Sequence, residues 1–163
     1  MGLISLSTTL WPTDKGFGWS YSALIALWFA VDTPALMENG KIVDGVVWIL
    51  AASVADFRTD TTKVDPLDNK ITKIFRSTVV SRRISAQSGV FTVHKILEVD
   101  RMIKFEKNKS YKHKLTKVSI KGAYFPKIRK QLSMLGIHYA SVFPDIDGFC
   151  RNLEWRFAKN SDE

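Results

Sequence analysis

The alternation of apolar and polar positions divides the chain into runs of different period. Ala23 to Val31 is apolar nearly all round, which predicts a helix buried on most of its faces. Ser20 is placed to cap that helix, and Pro34, which disfavours the helical conformation at the residue before it, ends it near Asp32 and Thr33. Glu38-Asn39-Gly40 is turn chemistry, and Gly45 to Ala51 is a continuous β-branched and apolar run that predicts a central strand. Alternation at Gly89 to His94 sets Val90, Thr92 and His94 against Phe91 and Val93, and Thr116 to Ile120 alternates with its lysine outward. Two helices close the chain. Ile128, Leu132 and Leu135 share one face from about Pro126 to Gly136, and Pro144 opens a helix with Ile146, Phe149, Cys150, Leu153 and Phe157 on the stripe expected to be buried.

The intervening stretches are polar. Met1 to Lys15 scatters its apolar residues without a sustained period, as a short strand or a segment lying against the body would. Trp11-Pro12-Thr13-Asp14, Gly16 and Gly18 are turn chemistry. Ser53 to Lys73, with Asp56, Asp60, Asp65, Pro66, Asp68 and Asn69, reads as a long loop with at most a helical turn. Val79 and Val80 begin an element leading into Ser81 to Lys95, where Arg82, Arg83, Gln87 and Gly89 form a turn that holds polar groups at a sheet edge. The sum is one α+β domain, a small mixed or antiparallel sheet packed with helices, with the Gly45 and Gly89 strands in the same sheet. A chain of 163 residues, 45% hydrophobic, can bury one such core.

Charge adds a candidate partner. The chain carries 24 Lys and Arg against 16 Asp and Glu, a formal +8 that attracts anions, either nucleic acid or a phosphate-bearing small molecule. The excess concentrates in Arg101 to Lys121, where Lys104, Lys107, Lys109, Lys112 and Lys114 stand with Arg101, Lys117 and Lys121 against Glu106 alone. These lysines either contact phosphates without reading sequence or form a solvated face; Phe105, Tyr111, Tyr124 and Phe125 are the aromatics available to stack on bases. Cys150 is the single cysteine, and His94, His113 and His138 are widely spread, so no disulfide or metal site is expected and a reduced, cytoplasmic setting fits. Asp145 and Asp147 suit a first helical turn rather than a metal pair. The longest apolar run falls far short of the roughly 20 residues that cross a bilayer, and no Lys or Arg precedes Lys15 to open a secretory signal, so no membrane partner is expected.

Three stretches in order resemble the FRG domain of bacteria and phages. Gly18-Trp19-Ser20-Tyr21-Ser22 leading into the Ala23 helix, with the Asp44 to Leu50 strand after it, is similar to the family's tryptophan, serine or threonine and small-residue helix. Arg83 to His94, with Ala86-Gln87, Gly89 and Phe91, is similar to its second signature, and Ile128 to Trp155 to its closing helix, turn and helix. The likeness implies a defence-associated domain over 18–157, behind a non-matching segment 1–17 and ahead of a polar tail 158–163. The family's opening phenylalanine, arginine, glycine motif and its glycine-leucine-proline-threonine-arginine segment do not stand here, so the likeness implies a truncated domain.

A fainter likeness, to ADP-ribosyltransferases, implies a nicotinamide dinucleotide (NAD) pocket. Ser20 or Ser22 takes the serine position, Arg83 and Trp19 hold ligand, and Gln87 takes the catalytic carboxylate's position. A neutral Gln87 can orient a ribose hydroxyl but stabilises an oxocarbenium ion poorly, so activity is expected to be weak or lost. Each residue has a structural reading beside this one: Ser20 as a cap, Trp19, Trp28 and Trp48 as core aromatics, Arg83 and Gln87 as partners of turn backbone. A third expectation is a remnant whose exposed core is covered by a partner chain or a second copy.

Overall fold

The computed structural model describes residues 3–5, 16–58, 71–77, 81–93, 96–98, 101–102 and 107–158. Among them a six-stranded sheet is the organising layer. Its strands are β1 (Leu3–Ser5), β2 (Gly16–Ser20), β5 (Gly45–Leu50), β6 (Lys73–Phe75), β7 (Gly89–Val93) and β10 (Leu115–Ile120), in the order β10-β5-β1-β2-β7-β6. Every pairing between these strands is antiparallel. The Gly45 and Gly89 strands therefore share one sheet, and the fold is α+β. Two hairpins stand apart from it, β3 (Met37–Glu38) with β4 (Lys41–Ile42) and β8 (Ile96–Glu98) with β9 (Arg101–Met102). The first turns at Asn39 and Gly40 with φ of 51° and 73°, the left-handed pair that suits a tight two-residue hairpin.

The helices are α1 (Ala23–Val31), α2 (Arg82–Ala86), α3 (Phe125–Met134), α4 (Tyr139–Val142) and α5 (Ile146–Phe157). The apolar character of α1 has the consequence the sequence suggests: Ile25, Trp28 and Phe29 are buried with Val47 of β5, Phe125 and Leu132 of α3 and Val142 of α4. The Trp28 ring meets Tyr139 and Phe143 edge-on, at centroid distances of 4.9 and 5.9 Å. Gly45 is required where β5 passes this helix, because a Cβ there would come within 2.6 Å of the Ala30 carbonyl oxygen. Leu50, three residues from Val47, points to the opposite side of the sheet, where a second cluster buries it with Trp19, Ile74, Val90 and Tyr111.

Several expectations are corrected. Gly16 and Gly18, read as turn residues, lie in β2, where Gly16 pairs with Val93 and Gly18 with Phe91 of β7. Leu3–Ser5 of the non-matching segment is a strand between β2 and β5. The Ser81 stretch enters its strand through α2, not a simple turn: Ser81 caps that helix by accepting from the Ile84 N–H at 3.2 Å, and Ser88, with φ 49°, turns the chain into β7. Trp11 to Asp14, Val79, Val80 and His94 lie outside the described residues, as does most of the Ser53 to Lys73 loop, whose described start holds a single 3-10 turn, Val54–Asp56.

The largest correction concerns α5. Its buried residues are Gly148 and Asn152, while Ile146, Phe149, Cys150, Leu153 and Phe157 are exposed. Gly148 explains the inversion: a Cβ there would overlap the Phe143 carbonyl, so the helix approaches the body by its smallest side. Leu135 is likewise exposed, since α3 ends at Met134 and Gly136, with φ 80°, turns the chain away.

Candidate functional site

Of the residues gathered by the transferase likeness, Ser20, Ser22, Arg83 and Gln87 lie at the joint where β2, α2 and the α4–α5 turn meet, and Trp19 does not. Ser20, buried at the end of β2, donates from Oγ to the Gln87 carbonyl at 2.7 Å and accepts the Ser22 N–H at 3.0 Å. Ser22, not Ser20, is the N-cap of α1, its Oγ accepting from the Ile25 N–H at 3.4 Å. Ser20 is instead the clamp that fixes the chain entering that cap. Gln87, the C-cap of α2, donates from Nε2 to the Val142 carbonyl at 3.2 Å. Arg83 donates from Nε to Asp145 Oδ2 at 2.6 Å, and its guanidinium carbon sits 5.0 Å from the Phe143 ring centroid. Trp19 is a core aromatic whose indole N–H donates to the buried Thr92 hydroxyl at 2.7 Å.

Chemically this joint is already charge-balanced. Asp145, the carboxylate it contains, also caps α5 by accepting from the Gly148 N–H at 2.9 Å. The Arg83 hydrogen bond first, and that from Gly148 second, hold its carboxyl below the usual range. It stays ionised and occupied, so it is not poised to stabilise a developing cation. Among the described residues no three His, Cys, Asp or Glu side chains gather as a metal site would require.

The basic run divides into tied and untied lysines. Lys114, expected to face solvent or phosphate, places Nζ 2.7 Å from both oxygens of Asp56, a partner contributed by the 3-10 turn fifty-eight residues earlier in the chain. Burial alone would push Asp56 up, but Lys114 and the backbone and hydroxyl of Ser53 outweigh it and hold the carboxyl below its ordinary value. Lys121 pairs with Asp44 at 2.8 Å, and Lys117 lies 5.8 Å from the centroid of the Trp48 ring. Lys107, Lys109 and Lys112 are exposed and have no carboxylate within ion-pair distance among the described residues. Lys104 and Phe105 lie outside the described residues.

What carries the three untied lysines is ordered. Asn108 accepts from the Tyr111 and Lys112 N–H groups at its carbonyl, at 3.0 and 2.8 Å, and from the Ser110 N–H at Oδ1, while its Nδ2 donates to Thr72. Tyr111 is buried and donates its hydroxyl to the Thr72 carbonyl at 3.1 Å; burial, with Asp56 beside it, pushes that hydroxyl up to about 12. Tyr111 therefore pins the loop instead of stacking on a base, and Phe125 is likewise buried; Tyr124 is exposed.

The sequence reading missed a second polar cluster. Arg129 of α3 is buried and donates from Nη1 to the Val31 and Thr33 carbonyls, and the Tyr139 hydroxyl donates to the Asp32 carbonyl at 3.1 Å. Arg129 falls four residues after Phe125 and three before Leu132, on the apolar face of its helix, which is the signal the sequence offered.

No protein-family model, curated protein or solved structure matches the chain. Among the described residues no helix is long and apolar enough to cross a membrane.

Proposed function

We propose that this chain is a non-catalytic domain that binds the phosphate backbone of nucleic acid through Lys107, Lys109 and Lys112. The observation that carries the reading is a loop held by Asn108 and Tyr111 that presents three lysines with no carboxylate partner among the described residues. Ordering the loop in advance lowers the entropy that binding must overcome. Lysines are point charges without the fork geometry that reads base edges, and two of the expected stacking aromatics are buried, so the binding is indifferent to sequence. The test is fluorescence anisotropy with mixed-sequence duplex DNA and single-stranded RNA at two salt concentrations. Each phosphate neutralised contributes about 0.7–0.9 to the logarithmic salt slope, so replacing the three lysines with alanine should lower the slope by about 2–3. Absence of binding at the lower salt removes the reading.

The convergence of Ser20, Arg83 and Gln87 favours a second reading, an FRG-type domain that keeps a degenerate nucleotide pocket at this joint. It rests on the resemblance and on the meeting of these residues at one place. Calorimetric titration with nicotinamide dinucleotide separates the two: heat that disappears in Gln87→Ala supports a surviving pocket, and no heat leaves the joint purely structural.

A further inference from the structure

The stripe of α5 that the sequence pattern assigns to a core is on the outside. Ile146, Phe149, Leu153 and Phe157 are 72%, 51%, 37% and 80% exposed, and Cys150 lies among them. At the helical spacing they form one continuous face, 18 Å long at about 1.5 Å per residue over a dozen residues. From Pro144 to Phe157 a soluble surface helix would turn such a face inward; here Gly148 and Asn152 occupy the inner side. A face of this size with no covering on the same molecule among the described residues is an interaction surface.

We propose that this face is covered by α5 of a second copy of the chain, crossed antiparallel about a twofold axis at Leu153. Two features select a second copy over other occupants. The first is self-complementarity. A twofold axis at Leu153 sets Leu153 against its counterpart and Phe149 against Phe157 of the second copy, twice over, so four aromatic rings surround two leucines. Phe149 and Phe157 are the i−4 and i+4 neighbours of Leu153, the ridge that interlocks when two helices cross. The same axis places Arg156 level with Cys150 of the second copy and sets neither Glu154 nor Arg156 against its own counterpart, so no charge on this face meets its like.

The second feature is charge. The molecule carries +8, yet the described part of α5 holds Asp147 and Glu154 against Arg151 and Arg156, and Asp145 at its start is paired with Arg83. The stripe thus sits on a neutral patch of a strongly basic protein, where two copies can approach without the repulsion they would meet at the lysine loop. An anionic nucleic acid or lipid surface gains nothing from this patch. The dimer is independent of the phosphate-binding reading, and either can fail without the other.

The test is sedimentation equilibrium over a wide concentration range on nuclease-treated protein, combined with cross-linking through Cys150, the single thiol of the chain. The weight-average mass should climb from the 18.5 kDa of one chain toward twice that value, and a short bismaleimide should join two copies. Leu153→Asp and Phe157→Asp, both at exposed positions, should remain monomeric and lose the cross-link while keeping the wild-type circular dichroism spectrum. Circular dichroism identifies a variant that has not folded, in which case the other decides. A monomer at every concentration overturns the proposal, whether Cys150 is open to reagent or shielded by another part of the same chain. A dimer that survives both substitutions overturns it too, because the contact then lies elsewhere.

Discussion

Arg129 closes the end of the first helix: its Nη1 donates to the Val31 carbonyl at 2.8 Å and to the Thr33 carbonyl at 2.7 Å, ninety-eight and ninety-six residues away in the chain. These carbonyls lie at the C-terminal end of α1, where the last turn has no intrahelical donors left. A buried guanidinium that serves two of them ties α3 to α1 more specifically than apolar packing does. Burial pushes Arg129 below its ordinary value, opposed by Tyr139 and Asp32, so the charge is retained at a cost that its contacts help to offset.

Replacing Arg129 with methionine is expected to destabilise the protein by about 2–4 kcal/mol, since it leaves buried carbonyls without donors. Lysine at this position keeps a charge, but its shorter, flexible stem does not hold the ammonium where Nη1 stands, and it should recover only part of the loss. Urea unfolding midpoints of the two variants check this, and equal stability of wild type and Arg129→Met would remove the capping role.

Much of the scaffold was legible because it rests on short-range pattern. The all-apolar α1, the Gly45 run and the alternation at Gly89 and Thr116 each appear as the element their period implies. What the period cannot state is which side of a helix meets the body. The α5 stripe looks like a core face, but the fit is decided by the approach of Gly148 to the Phe143 carbonyl, a contact between separate turns. The candidate site shows the same limit. Gln87, Arg83 and Ser20 lie near one another, but the partners of Gln87 and Arg83, the Val142 carbonyl and Asp145, come from a turn more than fifty residues further along the chain, which no local pattern states. Lys114 was indistinguishable in sequence from Lys112, because its partner Asp56 arrives from a distant loop.

That pair gives a second prediction. Asp56 and Lys114 are both largely shielded, with 11% and 23% of their side chains exposed. Asp56→Asn removes the charge while keeping the shape, and should cost about 1–3 kcal/mol by leaving the Lys114 ammonium without its counterion. Because the folded-state carboxyl is held below its ordinary value, its contribution is present above that value and is lost as pH falls through the lower, folded one. Wild-type stability should therefore drop in acid, and the Asp56→Asn variant should show a shallower drop in the same denaturation series.

Asp32 should act with the opposite sign. Burial pushes its carboxyl up from 3.8 to about 6, against the Thr33 hydrogen bond and the charges of Arg129 and Arg151. Between those values the folded state holds a proton that the unfolded state has released, so stability falls as pH rises through that window and the full cost remains above it. The cost is at most about 3 kcal/mol for a two-unit shift, and nearer 1 because the side chain is partly wetted. Asp32→Asn should be more stable than wild type at about pH 8 and no more stable at about pH 4. A variant less stable at both values would mean that the carboxylate itself is needed at the helix end.

Gln87 decides between a joint and a pocket. Its amide Nε2 donates to the Val142 carbonyl, so Gln87→Ala should lower stability by about 0.5–1.5 kcal/mol, the net worth of one hydrogen bond, and leave nucleic-acid affinity unchanged. Gln87→Glu is the sharper experiment. In a transferase-type pocket a carboxylate at this position supplies the charge that stabilises an oxocarbenium ion, and activity with nicotinamide dinucleotide should appear or rise. In a structural joint the same carboxylate loses the donor and faces the Val142 carbonyl oxygen directly, so the variant should be less stable than Gln87→Ala and inactive. Thermal melts and a transferase assay on the two proteins read these outcomes separately. The order of stability, alanine above glutamate, is what the observed hydrogen bond requires; the reverse order, with any activity gained, would return Gln87 to a catalytic role.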